Sequence, residues 1–204
     1  YDPTGGLDDL RAGRVRFVGD PRARIQEDVL RLLRFFRFHA WYGRTPPDAD
    51  ALAACRAMAE RLPGLSAERI WSELRRILFA PDPAAALELM AENGILDHVL
   101  PEARMRARLA ALVGIERRLG LDADAVRRLI AVLDIAPDAA PALTRRLRLS
   151  RKESVRISDN MDHADALSAD MDGRACRKML HIMGADLFRD RVLIGWAGED
   201  DDAW

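Results

Sequence analysis

The sequence predicts an all-α protein that carries one short β-strand near its N-terminus. After residue 20, apolar residues recur three and four positions apart, which is the spacing of amphipathic helices. Dipeptides that end helices, such as Pro63-Gly64 and Asn93-Gly94, interrupt this pattern at intervals typical of short helices. The sequence is 49% apolar, which is ordinary for a globular protein and argues against disorder.

Residues 1–20 are expected to form a hinge and a strand remnant. Gly5-Gly6 favours a turn, and polar and apolar residues alternate from Arg14 to Val18 as in a half-buried strand. Since a single strand is not a stable sheet, this strand is expected to pair with a sheet outside the chain. Asp20 and Pro21 then suit the N-cap and the first position of a helix.

The first long helix is predicted as one uninterrupted segment from Arg24 to Tyr42, ending at Gly43. Ser66 is expected to cap the helix that follows Pro63-Gly64. Ser150, with Glu153 three residues later, matches a capping box. The later predicted helices cover 48–61, 69–79, 84–92, 104–119, 123–133, 141–147, 151–166, 174–183 and 187–196.

Composition and charge restrict the classes of protein that this chain can represent. No apolar run approaches the ~20 residues needed to span a bilayer, so no membrane partner is expected. The formal net charge of −1 argues against an extended basic surface, so any contact with RNA must come from local patches. Cys55 and Cys176 lack paired spacing, which predicts reduced thiols, a cytoplasmic protein and no metal site.

The helix predicted from Arg24 carries two faces of different chemistry. The apolar stripe consists of Ile25, Val29, Leu32, Leu33 and Phe36, and the opposite face of Arg24, Asp28, Arg31, Arg34 and Phe35. Asp28 and Arg31 are three residues apart and therefore neighbours on the helix surface. A carboxylate beside a guanidinium and an aromatic ring can read the edge of a nucleobase.

The pair Asp28 and Arg31 matches the Watson–Crick edges of cytosine and adenine. Arg31 can donate to the ring nitrogen of either base, and ionised Asp28 can accept from the adjacent exocyclic amine. Uracil and guanine present a carbonyl oxygen to Asp28 and a ring N–H to Arg31, and each mispaired polar group costs ~1–3 kcal/mol. The alternative interpretation is an exposed helical ion pair worth about 0.2–0.5 kcal/mol.

Several groups of residues form a recognisable series along the chain. They are Asp2-Pro3-x-Gly5-Gly6 with Asp9-Leu10, Arg16 and Gly19-Asp20-Pro21; Glu27-Asp28-x-x-Arg31 through Leu33-Arg34 to Arg37-Phe38; Leu65-Ser66-x-Glu68-Arg69-Ile70 with Glu73-Leu74 and Ile77-Leu78; and Gly94-Ile95-Leu96 with Leu100-Pro101-Glu102. The first group resembles the hinge of the bacterial (class II) tRNA nucleotidyltransferase and poly(A) polymerase family. The second resembles the nucleotide-selecting motif of that family, and the third and fourth resemble its neck helices. The selecting motif alone is weak, but the ordered series is specific.

The resemblance implies a head, neck, body and tail, of which the chain supplies the neck at 21–80 and a truncated body at 81–204. The family's head holds two Mg²⁺ ions on acidic residues of a sheet, and the sequence shows no such pair on a strand. No catalytic or metal-binding residue is therefore assigned, and this chain alone is expected to be inactive. The whole enzyme would add CMP and AMP, from CTP and ATP, to tRNA 3′ ends, with Asp28 and Arg31 selecting the base.

Further residues are expected to assist nucleotide and RNA binding. Arg34 would meet the triphosphate of the nucleotide, and Glu27 would orient an arginine through a hydrogen bond. Arg37 lies further round the helix and is expected on a solvated face. The densest basic run offers contacts for tRNA phosphates through Arg145, Arg146, Arg148 and Lys152, although a solvated helix end is the alternative.

Other functions and sites stay open at this point. A poly(A) polymerase of the same family would use the same selector, because adenine fits it. A non-catalytic helical module that binds RNA or a protein partner would explain the missing acidic pair. One acidic cluster surrounds a histidine, but its spacing fits no familiar metal site: Asp159, Asp162, His163, Asp165, Asp170 and Asp172.

Overall fold

The structure is a computed structural model that describes residues 2–162, 167–168 and 170–199. Its helices and turns confirm the all-α class predicted from the sequence. The chain divides into two compact units, Tyr1–Pro101 and Glu102–Trp204, whereas the functional boundaries predicted at residues 20 and 80 stay predictions. Within the described ranges, no helix combines the length and the apolar character that crossing a membrane requires.

The first unit is built around a pair of packed helices, α3 and α5. Its helices are α1 (Gly6–Ala12), α2 (Pro21–Glu27), α3 (Leu30–Tyr42), α4 (Ala49–Met58), a 3₁₀ helix (Ala59–Gly64), α5 (Ala67–Leu78), α6 (Pro83–Glu92) and α7 (Leu96–Val99). Leu32, Leu33 and Phe36 of α3 and Leu74 and Ile77 of α5 are fully buried. The predicted apolar stripe therefore faces the core, and the opposite side of α3 stays available for binding.

The strand predicted from Arg14 to Val18 is a wrong prediction, because these residues have no regular secondary structure. A strand needs a hydrogen-bonded neighbour, and the described residues provide none. Gly13 instead ends α1 in the left-handed conformation (φ 66°), and its carbonyl accepts the Arg44 N–H at 2.9 Å. A Cβ atom at residue 13 would lie 2.6 Å from the Arg44 Cβ, so this approach requires glycine.

The continuous helix predicted from Arg24 to Tyr42 is two helices, because α2 ends at Glu27 and α3 begins at Leu30. Asp28 at the break is extended (φ −153°, ψ 107°). Its Oδ1 accepts the Leu30 N–H at 3.1 Å, and its carbonyl accepts the Arg31 N–H at 3.0 Å. Aspartate competes with helical hydrogen bonds in this way, and here it outweighs the apolar periodicity.

Helix starts are confirmed where the sequence offers a capping side chain. Asp20 accepts the Ala23 N–H ahead of Pro21, and Ser66 accepts the Arg69 N–H. Ser150 and Glu153 form the predicted capping box. The helix that begins there ends at Met161 rather than at residue 166, and 163–166 lie outside the described residues.

The second unit buries both an apolar cluster and a charged network. Its helices are α8 (Arg106–Leu119), α9 (Ala125–Val132), a 3₁₀ turn (Pro137–Ala139), α10 (Ala140–Arg146), α11 (Arg151–Met161), α12 (Gly173–Met183) and α13 (Ala185–Gly198). Glu116 of α8 accepts from Arg127 at 2.6 and 2.8 Å and from Arg128 at 2.8 Å. Asp190 of α13 accepts from Arg156 of α11 at 2.7 and 2.9 Å. Pairing makes these buried charges tolerable.

Cys55 is fully buried in α4, and burial raises the pKa of its thiol to about 12. In the folded chain at pH 8, iodoacetamide is expected to alkylate Cys55 about a hundredfold or more slowly than the half-buried Cys176, because the thiolate is the nucleophile. Unfolding exposes a thiol with the ordinary cysteine pKa of about 9.0, so this group reduces stability as the pH rises above that value. Mass spectrometry of timed samples with and without urea measures the difference, and equal rates in the folded chain would contradict it.

Candidate functional site

A pocket of about 250 Å³ lies between residues 15–18 and the exposed side of α3. Its lining residues are Val15, Arg16, Phe17, Val18, Arg24, Arg31, Arg34, Phe35 and Phe38. Phe35, predicted on the polar face, is only 3% exposed and stacks on Phe17 with ring centroids 5.7 Å apart. Four arginines and three aromatic rings make this pocket suited to a flat, anionic ligand.

Arg31 is fixed in this pocket through a single nitrogen. Its Nη1 donates to the Glu27 carboxylate and, at 3.1 Å, to the Arg24 carbonyl. Glu27 also accepts from Arg24 at 2.6 Å, and the hydrogen bond from Arg31 holds the pKa of Glu27 below its usual value. Glu27 and the Arg24 carbonyl therefore occupy only Nη1 of Arg31. Among the described residues, the Nε and Nη2 donors of Arg31 have no hydrogen-bond partner.

Asp28 does not pair with Arg31, and it lies outside the described lining of the pocket. Its two carboxylate oxygens accept from Nη2 of Arg69 on α5, at 2.9 and 3.1 Å. Burial raises the pKa of Asp28, but the hydrogen bonds from Leu30 and Arg69 outweigh this effect and hold it below the usual value. Asp28 is therefore ionised at neutral pH and is positioned from two helices rather than one.

Glu73 of α5 gathers three arginines around a carboxylate that is 2% exposed. The distances from its oxygens are 2.9 Å to Arg37 Nη1, 3.6 Å to Arg34 Nε and 3.8 Å to Arg76 Nη1. The solvated position predicted for Arg37 is wrong, because its side chain is 14% exposed and covers this buried charge. Arg34, whose side chain is 45% exposed, reaches both Glu73 and the pocket.

The basic run predicted to contact RNA lies in the second unit, at the end of α10 and the start of α11. Arg145, Arg146, Arg148 and Lys152 are all exposed. Arg146 is largely neutralised by Glu102, whose oxygens lie 2.6 and 2.7 Å away. Three of the four cations therefore remain available, and RNA contact there stays a prediction.

The predicted acidic cluster around His163 includes one helix cap and some residues that lie outside the described part of the chain. Asp172 caps α12 by accepting the Arg174 and Ala175 N–H groups. His163 and Asp165 lie outside the described residues. Among the residues that are described, no three His, Cys, Asp or Glu side chains are placed to hold a metal ion.

Arg69 and Glu73 are the site residues that sequence reasoning did not assign. Glu73 carried a usable signal, because it shares the helical spacing of Ile70, Leu74 and Ile77 on the buried face of α5. A carboxylate on such a face needs cationic partners, and α3 supplies arginines. The contact between Arg69 and Asp28 joins residues 41 positions apart, so no local sequence pattern predicts it.

Comparison with known proteins gives one family model and two kinds of relatives. Residues 47–105 match the model described as "Probable RNA and SrmB- binding site of polymerase A". The mitochondrial CCA tRNA nucleotidyltransferase 1 of Mus musculus is 35% identical over 156 residues, which cover 75% of this chain and 35% of the mouse protein. The CCA-adding enzyme of Bordetella pertussis is 38% identical over 103 residues, covering 50% of this chain and 28% of that enzyme.

Solved structures share the fold over nearly the whole chain. The Bacillus stearothermophilus CCA-adding enzyme in complex with CTP matches with a TM-score of 0.76 and 24% identity, covering 97% of this chain and 49% of that one. The Thermotoga maritima CCA-adding enzyme complexed with tRNA gives a TM-score of 0.67 and 18% identity, covering 97% and 50%. This chain thus spans about half of the solved enzymes and about a third of the curated relatives.

The ordered motifs, the helical fold and the relatives agree. The roles of individual residues rest on the geometry of the site. The fold similarity extends over both compact units. In sequence and in fold this chain is therefore similar to CCA-adding tRNA nucleotidyltransferases, and these similarities support the resemblance to the tRNA nucleotidyltransferase and poly(A) polymerase family.

Proposed function

We propose that this chain is the neck and body of a template-independent RNA nucleotidyltransferase that adds CMP and AMP to tRNA 3′ ends. The observation that carries the proposal is the arginine and aromatic pocket on α3, beside an ionised Asp28 that is held in place by Arg69. The names of the relatives, which are CCA-adding enzymes, support the reaction and its tRNA substrate.

Base selection follows from the groups that Arg31 and Asp28 keep available. Arg31 uses Nη1 for Glu27 and Arg24, so Nε and Nη2 would donate to the ring nitrogen of cytosine or adenine. A carboxylate has about four lone-pair positions, and three are used by the contacts of Asp28 with Leu30 and Arg69. The fourth would accept the exocyclic amine, which uracil and guanine lack at that position.

Phosphate binding is assigned to the arginines that line the same pocket. Arg34 lies three residues after Arg31 on α3, and Arg24 lies on α2. A guanidinium pairs with phosphate oxygens through two parallel hydrogen bonds. The described residues hold no group of metal ligands, so the proposal assigns the Mg²⁺ ions to the catalytic head that the family resemblance implies. No step of base selection depends on them.

Poly(A) polymerase is the second candidate within the same family. The match of residues 47–105 to a model named for polymerase A favours it. Both candidates need a site that accepts adenine, and only the CCA-adding enzyme also needs cytosine. Incorporation of CMP by the whole enzyme therefore separates them.

Single-turnover incorporation by the full-length enzyme tests the base selector. Asp28→Ala and Arg31→Ala are each expected to reduce the preference for CTP and ATP over UTP and GTP by about 10- to 100-fold, because each removes one discriminating contact worth ~1–3 kcal/mol. The 204-residue chain alone, assayed beside it with Mg²⁺ and tRNA, is expected to add no nucleotide.

Two exposed residues give matched controls. Asp50→Ala on α4 and Arg22→Ala on α2 remove the same charges outside the pocket and should leave the preference unchanged. If Asp28→Ala and Arg31→Ala behave like these controls, the selector role is refuted.

A further inference from the structure

A second pocket, of about 430 Å³, lies on α3 and α5 and is lined by aromatic and arginine side chains. The described lining residues are Arg37, Phe38, Trp41, Tyr42, Arg76 and Phe79, with no acidic side chain among them. Three of the rings are unusually open to solvent: Phe38 is 43% exposed, Trp41 43% and Tyr42 52%. Neighbouring exposed rings on successive turns of one helix are typical of a binding surface.

The rings of this aromatic pocket are held in fixed positions. Trp41 Nε1 donates to the Arg76 carbonyl at 2.8 Å, which ties the indole to α5. The rings of Phe38 and Tyr42 lie 6.2 Å apart, and the Arg37 guanidinium lies 4.4 Å from the centre of Phe38. A ligand that stacks here meets ordered rings, so little conformational entropy is lost on binding.

The charge around the aromatic pocket is positive. Glu73 partly neutralises Arg37 and Arg76 from the buried side, at 2.9 and 3.8 Å. Arg75 and Arg76 are exposed in the last turn of α5, and Arg75 also lies 5.8 Å from the ring centre of Phe79. Flat apolar rings beside exposed guanidinium groups suit a ligand that combines flat bases with phosphates.

The arginine and aromatic pocket and this second pocket adjoin along α3, because Phe38 lines both of them. Arg31 and Arg34 line the first pocket, before Phe38 in the chain, and Trp41 and Tyr42 line the second pocket, after it. A strand whose end reaches the first pocket can therefore continue across Phe38 into the second.

We propose that the aromatic pocket binds single-stranded RNA, with bases stacked on Trp41 and Tyr42 and phosphates on Arg75 and Arg76. This inference rests on the proposed function in one respect only: the strand would be the 3′-terminal segment whose end meets the nucleotide at Arg31. Stacking tolerates any base, so this surface positions the strand without reading its sequence.

Fluorescence anisotropy with a labelled six-nucleotide RNA ending in CC tests the inference on the 204-residue chain, without nucleotide. Trp41→Ala is expected to weaken binding by about tenfold or more, and Trp41→Phe, which keeps a stacking ring, by about threefold or less. Arg75→Ala combined with Arg76→Ala should weaken binding and flatten its dependence on salt. A blunt duplex of the same length should bind more weakly than the single strand.

Leu180→Ala on α12, which removes a side chain that is 41% exposed, is the matched control and should leave RNA affinity unchanged. An affinity of Trp41→Ala within twofold of the parent chain, with an unaltered circular dichroism spectrum, overturns the inference. A dimer that Trp41→Ala dissociates, with RNA affinity unchanged, also overturns it, because the face would then bind a second copy. Loss of the base selector leaves these RNA measurements unaffected, so the two proposals fail separately.

Discussion

Replacing Glu116 with alanine is expected to destabilise the second unit by about 3–5 kcal/mol. Glu116 is 1% exposed and accepts three hydrogen bonds from Arg127 and Arg128, each 5% exposed. Its removal leaves two buried guanidinium groups without this carboxylate, and their desolvation is then less fully compensated, although Arg127 still donates to the Asp122 carbonyl at 2.8 Å. Urea denaturation followed by circular dichroism measures the change in the free energy of unfolding.

Two further variants identify the cause of this loss. Asp138→Ala removes an exposed carboxylate of the same unit and should change the free energy of unfolding by no more than about 0.5 kcal/mol. Adding Arg127→Met to Glu116→Ala removes a cation that the first change left buried, and should restore part of the loss. If Glu116→Ala costs no more than Asp138→Ala, the network does not stabilise the unit.

Glu73→Gln is expected to cost the first unit about 3 kcal/mol or more, and to change both pockets. The amide keeps the volume of the side chain but removes the charge that holds Arg34, Arg37 and Arg76. Released Arg34 would no longer be directed to its place in the first pocket, and Arg76 would become more mobile beside the second. Urea denaturation and the incorporation assay of the whole enzyme measure the two effects.

Glu60→Gln is the comparison for this change, since Glu60 is exposed in the 3₁₀ helix of the same unit. It should leave both stability and incorporation unchanged. A stable Glu73→Gln protein with normal kinetics would show that the three arginines do not depend on this charge.

The helices could be predicted from the sequence where local chemistry determines them. The apolar stripe containing Leu32, Leu33 and Phe36 is buried as its spacing indicates, and Ser66 and Ser150 cap helices as their side chains allow. The break at Asp28 was missed because the periodicity of apolar residues is a property of several helical turns taken together. The break itself depends on one hydrogen bond, from the Leu30 N–H to the Asp28 side chain, within a single turn.

The candidate site was predicted only in part for a related reason. Arg31 and Arg34 line a pocket together because they lie on one helix, which spacing alone could show. Asp28 points to Arg69, and Arg37 to Glu73, through contacts between helices that are distant in sequence. The prediction of a strand at Arg14 was wrong because alternating polar and apolar residues indicate only that a segment can pair with another strand, and not that a partner strand is present.

The extended backbone of Asp28 has a consequence for protein engineering. Because α2 stops before Asp28 and α3 starts after it, the acceptor lies in the break between two helices and is held by Arg69 of α5, whereas the donor Arg31 lies in the first turn of α3. Transplanting the pentapeptide from Glu27 to Arg31 into an ordinary straight helix would therefore not reproduce the relative positions of the Asp28 and Arg31 side chains. A transferable module must include α2, α3 and α5 together.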